Sequence, residues 1–173
     1  AFTEDGYFRT GDAGRMEGNT LFFTERIKDL YKTSNGKYIA PQAIEMVMSG
    51  DQYIEQIAVI GDQRKFVSAL IVPAYSLLEK YAEEKGLAVG SREELVRNKE
   101  ILRLIETHIE ENQKNLASYE KIKRFTLLSE PFTMGSELTD TLKLRRSVIL
   151  KKYADPIEKM YEEASNMWGS NPV

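Results

Sequence analysis

Between Ser136 and Arg146 the chain reads Ser-Glu-Leu-Thr-Asp-Thr-Leu-Lys-Leu-Arg-Arg, with Lys143 set between two leucines just ahead of two arginines. A lysine ammonium is a compact, mobile point charge suited to an oxyanion or a phosphate. Arg145 and Arg146 can fork onto a carboxylate or a phosphate. The same residues would equally make the basic start of a helix on a solvated face. Two earlier stretches carry further candidates. Tyr7-Phe8-Arg9-Thr10-Gly11-Asp12 ends on a carboxylate at a glycine turn, and taken alone Asp12 reads as a turn aspartate. Arg26-Ile27-Lys28-Asp29-Leu30-Tyr31-Lys32 runs into Thr33-Ser34-Asn35-Gly36, where glycine lets backbone approach a ligand closely. His108 lies beside Ile105 and Ile109 on a helical repeat and reads as a core-flank residue rather than a catalytic base.

Composition narrows the chemistry. The 173 residues are 42% hydrophobic, enough for one core or one core with an appendage. A net charge of −3 gives no electrostatic case for nucleic acid. With no cysteine there is no disulfide framework and no thiolate metal site. A single histidine argues against a histidine metal site and a Ser-His-Asp triad. No apolar run approaches the length of a membrane span, and no signal peptide is visible. Opening on Ala1-Phe2-Thr3 without methionine, the chain is expected to be a piece of something longer, or processed.

The elements that must position these residues follow from patterning. Gly6–Asp12 and Leu21–Thr24 read as short strands with Glu17-Gly18-Asn19 as the turn, a hairpin too small to fold alone. Asn35-Gly36 is a tight-turn signal. Pro41 opens a helix to Met48 with Ile44, Val47 and Met48 on one side. Strands are expected over 54–60 and 67–72, the second stopped by Pro73. Residues 76–116 read as helical, with Ser76 as a cap, a stop at Gly86, and a capping box from Ser91 to Glu94. From Glu100 onward Ile101, Leu104, Ile105, Ile109 and Leu116 recur near the helical period. Residues 123–128 form a further strand. A last helix runs from about Leu144 to Met160 or beyond, kinked at Asp155-Pro156, and the tail from Trp168 is loosely ordered. Strands and helices in this order predict an α+β fold, a small sheet of short strands flanked by helices with a helical insertion, preceded by a β-hairpin.

The order and spacing of three features, Tyr7 to Asp12, Arg26 to Lys32 with Gly36, Ile39, Pro41 and Glu45 behind it, and the Thr141-Leu142-Lys143 turn, resemble the C-terminal part of the adenylate-forming enzymes. That superfamily holds acyl-CoA synthetases, luciferases and peptide-synthetase adenylation domains. The resemblance covers nearly the whole chain and looks most like the long-chain fatty acid–CoA ligases. Thr-Leu-Lys-Leu-Arg-Arg stands where most relatives have Gly-Lys, and the insertion at about 76–116 is longer than in small-acid branches. The resemblance implies an enzyme that activates a fatty acid with ATP to an acyl-adenylate, then transfers the acyl group to coenzyme A. It implies that residues 1–26 are the terminal strands of a large AMP-binding domain and 27–173 the mobile C-terminal domain.

Position by position, it implies that Asp12 binds the ribose hydroxyls of ATP and that Arg26 contacts the nucleotide. Lys28 becomes the hinge, which need only absorb a backbone change. Lys32, Ser34, Asn35 and Gly36 fall in the loop brought to the active site for the second half-reaction. Lys143 reaches the carboxylate and α-phosphate during adenylation, so Lys143 and Lys32 are the catalytic candidates. The superfamily's phosphate-cradling loop, acyl tunnel and magnesium ligand would all lie upstream of Ala1, leaving no metal site in this chain and no activity in it alone. The expected partners are ATP, fatty acid, coenzyme A and the large domain, with a second copy joining through residues 1–26. The expected location is cytoplasmic, at most peripheral to a membrane. The rival readings are another acyl- or aryl-CoA ligase branch and a non-catalytic α+β interaction module.

Overall fold

The structure, a computed structural model, describes residues 2–168. Its centre is a three-stranded sheet in the order β5-β6-β7, formed by Ile54–Ile60, Val67–Pro73 and Ile122–Leu127. Seven consecutive buried residues in β6 make it the middle strand, covered on both faces. β5 pairs with β6 antiparallel and β7 pairs with it parallel. A parallel neighbour needs a long crossover, and the helical insertion supplies it.

The insertion is three helices, α2 (Tyr75–Glu84), α3 (Arg92–Leu95) and α4 (Lys99–Asn112), with the break at Gly86 and the new start after Ser91 as expected. Gly86 takes φ +66°, which ends α2 in the left-handed region. Ser76 does not cap α2; the helix starts at Tyr75 behind Ala74, with no side-chain cap. The Ser91 hydroxyl does accept from the Glu94 N–H (3.3 Å), but the Glu94 carboxylate reaches past Ser91 to the Gly90 N–H at 2.7 Å. Asn98 caps α4, whose Ile101, Ile105 and Ile109 are buried. Leu116 falls beyond its end, in a turn. Buried Gln113 then pairs with the backbone of Ile122 like a strand residue, accepting at 2.8 Å and donating at 3.3 Å, and so covers the start of edge strand β7.

Helix α1 (Pro41–Met48) packs beside β5 through Pro41, Ile44 and Met48, while Val47 turns out to solvent. His108 of α4 holds the turn behind α1, with Nδ1 2.8 Å from the Asp51 carboxylate, and Asn112 donates to the same oxygen at 2.8 Å. The C-terminal helix is split into α5 (Arg146–Lys152) and α6 (Ala154–Trp168), and it begins at Arg146 rather than Leu144. Pro156 has no N–H for the Lys152 carbonyl and its ring would clash there, so the break falls at Tyr153 and Pro156 sits in the first turn of α6. The tail beyond Trp168 lies outside the described residues.

The N-terminal strands differ from the expectation. β1 is Asp12–Glu17, not Gly6–Asp12, because Gly6 (φ +86°) and Gly11 (φ +81°) interrupt the extended backbone before it. β2 is Thr20–Arg26, and the turn at Gly18 is as expected. A single 3-10 turn, Ile27–Asp29, leads from this hairpin to a second one, β3 (Tyr31–Lys32) with β4 (Tyr38–Ile39). The whole is an α+β fold with an antiparallel hairpin ahead of the helical and sheet core.

Candidate functional site

Lys143 stands at the tip of a loop closed on itself. The Thr139 N–H donates to the Lys143 carbonyl at 2.9 Å, and the Lys143 N–H donates to the Thr139 hydroxyl at 3.0 Å. Between them Leu142 is forced to φ +60°, a left-handed conformation that costs an L-residue about 1–2 kcal/mol. The side chain of Lys143 is exposed and makes no ion pair among the described residues. Its charge is therefore available to an incoming anion.

The next two arginines are not equivalent to it. Arg145 donates to the Gly135 and Ser136 carbonyls at 3.2 and 3.1 Å, closing the base of the loop. Arg146 forks onto Glu45 of α1 at 2.9 and 2.8 Å, and its guanidinium lies over the Tyr31 ring. The carboxylate expected for the arginine fork thus comes from within the chain. Glu45 also accepts from the Val59 N–H at 2.8 Å. Burial pulls the Arg146 guanidinium down, but the Glu45 bonds and charge hold it above its ordinary value.

A cleft of about 1210 Å³ opens beside this pair. It is lined by Phe23 and Arg26 of β2, Asp29 and Leu30 just after it, the start of α1, and Leu142, Lys143 and Leu144. The cleft thus joins Arg26 to Lys143. Asp12 is the register partner of Arg26 across the first hairpin, and their side chains approach to 3.6 Å. A carboxylate and a guanidinium side by side present an acceptor for hydroxyls and a donor fork for phosphate. Lys28 lies in the middle of the 3-10 turn between that hairpin and the rest.

Lys32, Ser34, Asn35 and Gly36 do not line this cleft. They belong to the β3–β4 hairpin, which is stitched to the turn at 61–65. The Lys32 N–H donates to Asp62 (3.1 Å), the Ser34 N–H to the Arg64 carbonyl (2.9 Å) and the Asn35 amide to the Lys65 carbonyl (3.3 Å). Gly36 has φ +77°, as its tight turn requires. The Lys32 ammonium lies 5.7 Å from the Tyr38 ring centre. Behind the turn, Arg64 pairs with Glu158 of α6. Asp62, Arg64, Glu158 and Glu137 escape a reading of the sequence, because each partner is supplied by a distant segment. Among the described residues no cluster of three or more acidic or histidine side chains could hold a metal ion, and no helix is long and apolar enough to cross a membrane.

Solved structures of adenylation domains share this α+β fold. The adenylation domain of the carboxylate reductase from Mycobacterium chelonae is 29% identical with a TM-score of 0.72, over 93% of this chain and 24% of that one. The adenylation domain of carboxylic acid reductase from Segniliparus rugosus, solved with AMP and a co-purified carboxylic acid, is 25% identical with a TM-score of 0.72, over 94% of this chain and 24% of that one. The chain belongs to the AMP-binding enzyme C-terminal domain family, whose profile matches residues 28–165. Among curated relatives, the long-chain-fatty-acid–CoA ligase FadD15 of Mycobacterium tuberculosis is 32% identical over 94% of this chain and 28% of its own length. The long-chain-fatty-acid–CoA ligase 5 of Mus musculus is 35% identical over 92% of this chain and 24% of its length. The chain thus spans about a quarter of the relatives it matches.

Proposed function

We propose that this chain is the mobile C-terminal domain, with the last strands of the large domain at residues 1–26, of an ATP-dependent long-chain fatty acid–CoA ligase. The observation that carries the reading is the cleft whose lining holds both Arg26 and Lys143, a lysine with no ion pair among the described residues. In the first half-reaction a fatty acid carboxylate oxygen bonds to the α-phosphorus of ATP, and pyrophosphate leaves with the electrons of the α–β bridge. Lys143 offsets the negative charge that builds as one anion attacks another, the kind of electrostatic positioning that dominates phosphoryl and acyl transfer. Asp12 takes the ribose hydroxyls and Arg26 the phosphate side of the nucleotide.

In the second half-reaction the thiol of coenzyme A attacks the acyl carbonyl and AMP leaves. Lys32 and the Ser34–Gly36 turn serve this step, after rotation about Lys28. That the β3–β4 loop and the Lys143 cleft are separate surfaces of one body supports such an alternation. The phosphate loop, the acyl pocket and the magnesium ligand are contributed by the large domain. The long-chain branch is favoured by the names of the curated relatives and by the Thr-Leu-Lys-Leu-Arg-Arg run. The likeness to carboxylate reductase adenylation domains favours a second reading, an acyl-adenylate passed to an acceptor other than coenzyme A.

The parent enzyme, given ATP, magnesium and palmitate, should release pyrophosphate and, on addition of coenzyme A, form the thioester. Pyrophosphate release with benzoate but not palmitate would move the parent to an aryl branch; adenylation without thioester would favour the second reading. The 173-residue chain alone should release none above blank, because it cannot assemble a near-attack geometry.

A further inference from the structure

Glu137 is the least expected residue of the Lys143 loop. Its side chain is completely buried, between the exposed residues 133–135 and the exposed tip at 140–143. A buried carboxylate is stable only if paired and hydrogen-bonded, and this one is both. It accepts from the Thr133 N–H at 3.1 Å and the Thr133 hydroxyl at 3.3 Å, pairs with Lys152 of α5, and has the Tyr153 hydroxyl at 3.5 Å. Its backbone carbonyl accepts from the Arg145 N–H at 2.7 Å. One residue therefore ties the start of the loop, its end and the following helix together. The next residue, Leu138, is buried and bridges Met134 on one side and Leu144 on the other.

The consequence falls on the tip. Leu142 persists at positive φ only if the surrounding structure holds it there. The tip itself supplies the Thr139–Lys143 contacts, while everything below it converges on Glu137. Arg145 reinforces the same base through the Gly135 and Ser136 carbonyls. An exposed lysine on a floppy loop would sample many positions, and most would be out of reach of a reacting phosphate.

We propose that Glu137 is the positioning residue for Lys143: its buried, Lys152-paired carboxylate fixes the base of the loop so that the ammonium is held ready at the cleft. This rests on reading Lys143 as the lysine of adenylation. Glu137 touches no substrate and acts only through the loop. Glu137 is buried and Lys152 half-exposed; removing one charge of such a pair is costly, whereas replacing both by apolar residues of similar volume is often neutral for stability. Stability and positioning are thereby separable.

The test uses the parent enzyme with Glu137→Gln, with the double variant Glu137→Leu/Lys152→Leu, and with Lys143→Ala as reference. Pyrophosphate release, thioester formation from supplied palmitoyl-adenylate, and amide hydrogen exchange over 133–146 are measured for each. The expected result is that kcat for adenylation falls about ten- to a hundred-fold in both Glu137 variants, by analogy with small displacements of a reacting group. The KM for ATP and the thioester step should be unchanged, and the amides of Leu142, Lys143 and Arg145 should exchange faster. The double variant should keep its thermal midpoint while losing adenylation. Parallel losses in both half-reactions, or full adenylation alongside faster exchange, would overturn the positioning role. Unchanged exchange would overturn the anchoring itself. Full adenylation by Lys143→Ala would overturn the reading of Lys143 and the proposal with it, and is distinguishable because the exchange data report on the loop independently of chemistry.

Discussion

The carboxylate of Glu45 and the guanidinium of Arg146 meet edge to edge, at 2.9 and 2.8 Å, with both side chains largely withdrawn from water. Glu45 belongs to α1 and also accepts from β5, while Arg146 begins α5 and covers Tyr31 just before Lys32. The segment carrying Lys32, the sheet and the segment carrying Lys143 are thereby joined through one bidentate contact. In the reading proposed above, a rotation at Lys28 would carry both lysines together because of it.

Breaking that contact should be expensive. Arg146→Met leaves Glu45 half-buried with only the Val59 N–H for company. Loss of one partner of a fully buried pair costs about 3–5 kcal/mol; with some water reaching both groups, about 2 kcal/mol is expected here. Urea unfolding of the wild-type and variant chains would show it, and coincident midpoints would mean the pair is screened.

The sheet strands, α1, α4 and the Asn35-Gly36 turn were legible because each announces itself within a few residues: the alternation or run of apolar side chains in 54–60 and 67–73, the isoleucine repeat of α4, proline at a helix start. Parallel pairing of β7 with β6 was not, since nothing local in 122–127 says which neighbour it will meet. The Glu137–Lys152 and Arg64–Glu158 pairs were hidden for the same reason, the second joining residues 94 apart. The first strand was misplaced because apolar Tyr7 and Phe8 carry a β pattern that Gly6 and Gly11 override by their backbone angles.

Acid should weaken the fold through Glu137. Burial raises its carboxyl, but the Lys152 hydrogen bond and the Thr133 N–H more than reverse this and hold it at about 2, against an ordinary 4.5. The folded chain therefore binds this proton less readily than the unfolded one. The contribution is complete above about pH 4.5 and is lost as pH falls toward 2; it corresponds to about 3 kcal/mol. Asp51 is lowered too and adds in the same direction. The stability difference between wild type and Glu137→Gln should shrink between pH 6 and pH 3; a difference constant with pH would show that the Glu137 charge is not what Lys152 stabilises.

In the parent enzyme, Lys143→Ala should depress adenylation far more than thioester formation from a supplied acyl-adenylate. The ammonium has no ion-pair partner among the described residues, so on the reading proposed above its removal should leave the fold intact and remove a charge needed only in the first transition state. The loss should be about 3 kcal/mol or more, as for deletion of an oxyanion donor. Rapid-quench measurement of each half-reaction decides it, and equal losses in both would contradict the assignment.

Lys28→Pro should give the opposite pattern. Lys28 is the central residue of the Ile27–Asp29 turn, and proline there fixes its own φ and restricts Ile27 before it. On the reading proposed above, a domain held in one of two orientations should still adenylate and should fail to form thioester. Wild-type rates in both half-reactions would show that the rotation occurs elsewhere.

The first hairpin should make this chain self-associate. Phe2, Tyr7, Phe8, Met16, Leu21 and Phe23 are all exposed, Phe2 and Tyr7 by 70% and 72%. The strands pair with each other, and among their described side chains Phe23 and Arg26, at the inner end, line the cleft shared with the rest of the domain. Fold-back of the hairpin onto its own domain is therefore not how these aromatics are covered. An uncovered aromatic ribbon with two open edges recruits other chains. Sedimentation velocity of residues 1–173 should show concentration-dependent association that residues 27–173 lack, and Leu21→Ser with Phe23→Ser should shift the full chain toward monomer. A monomer in every case, at concentrations where the aromatic surface would have to be buried, would show that the hairpin is tolerated bare.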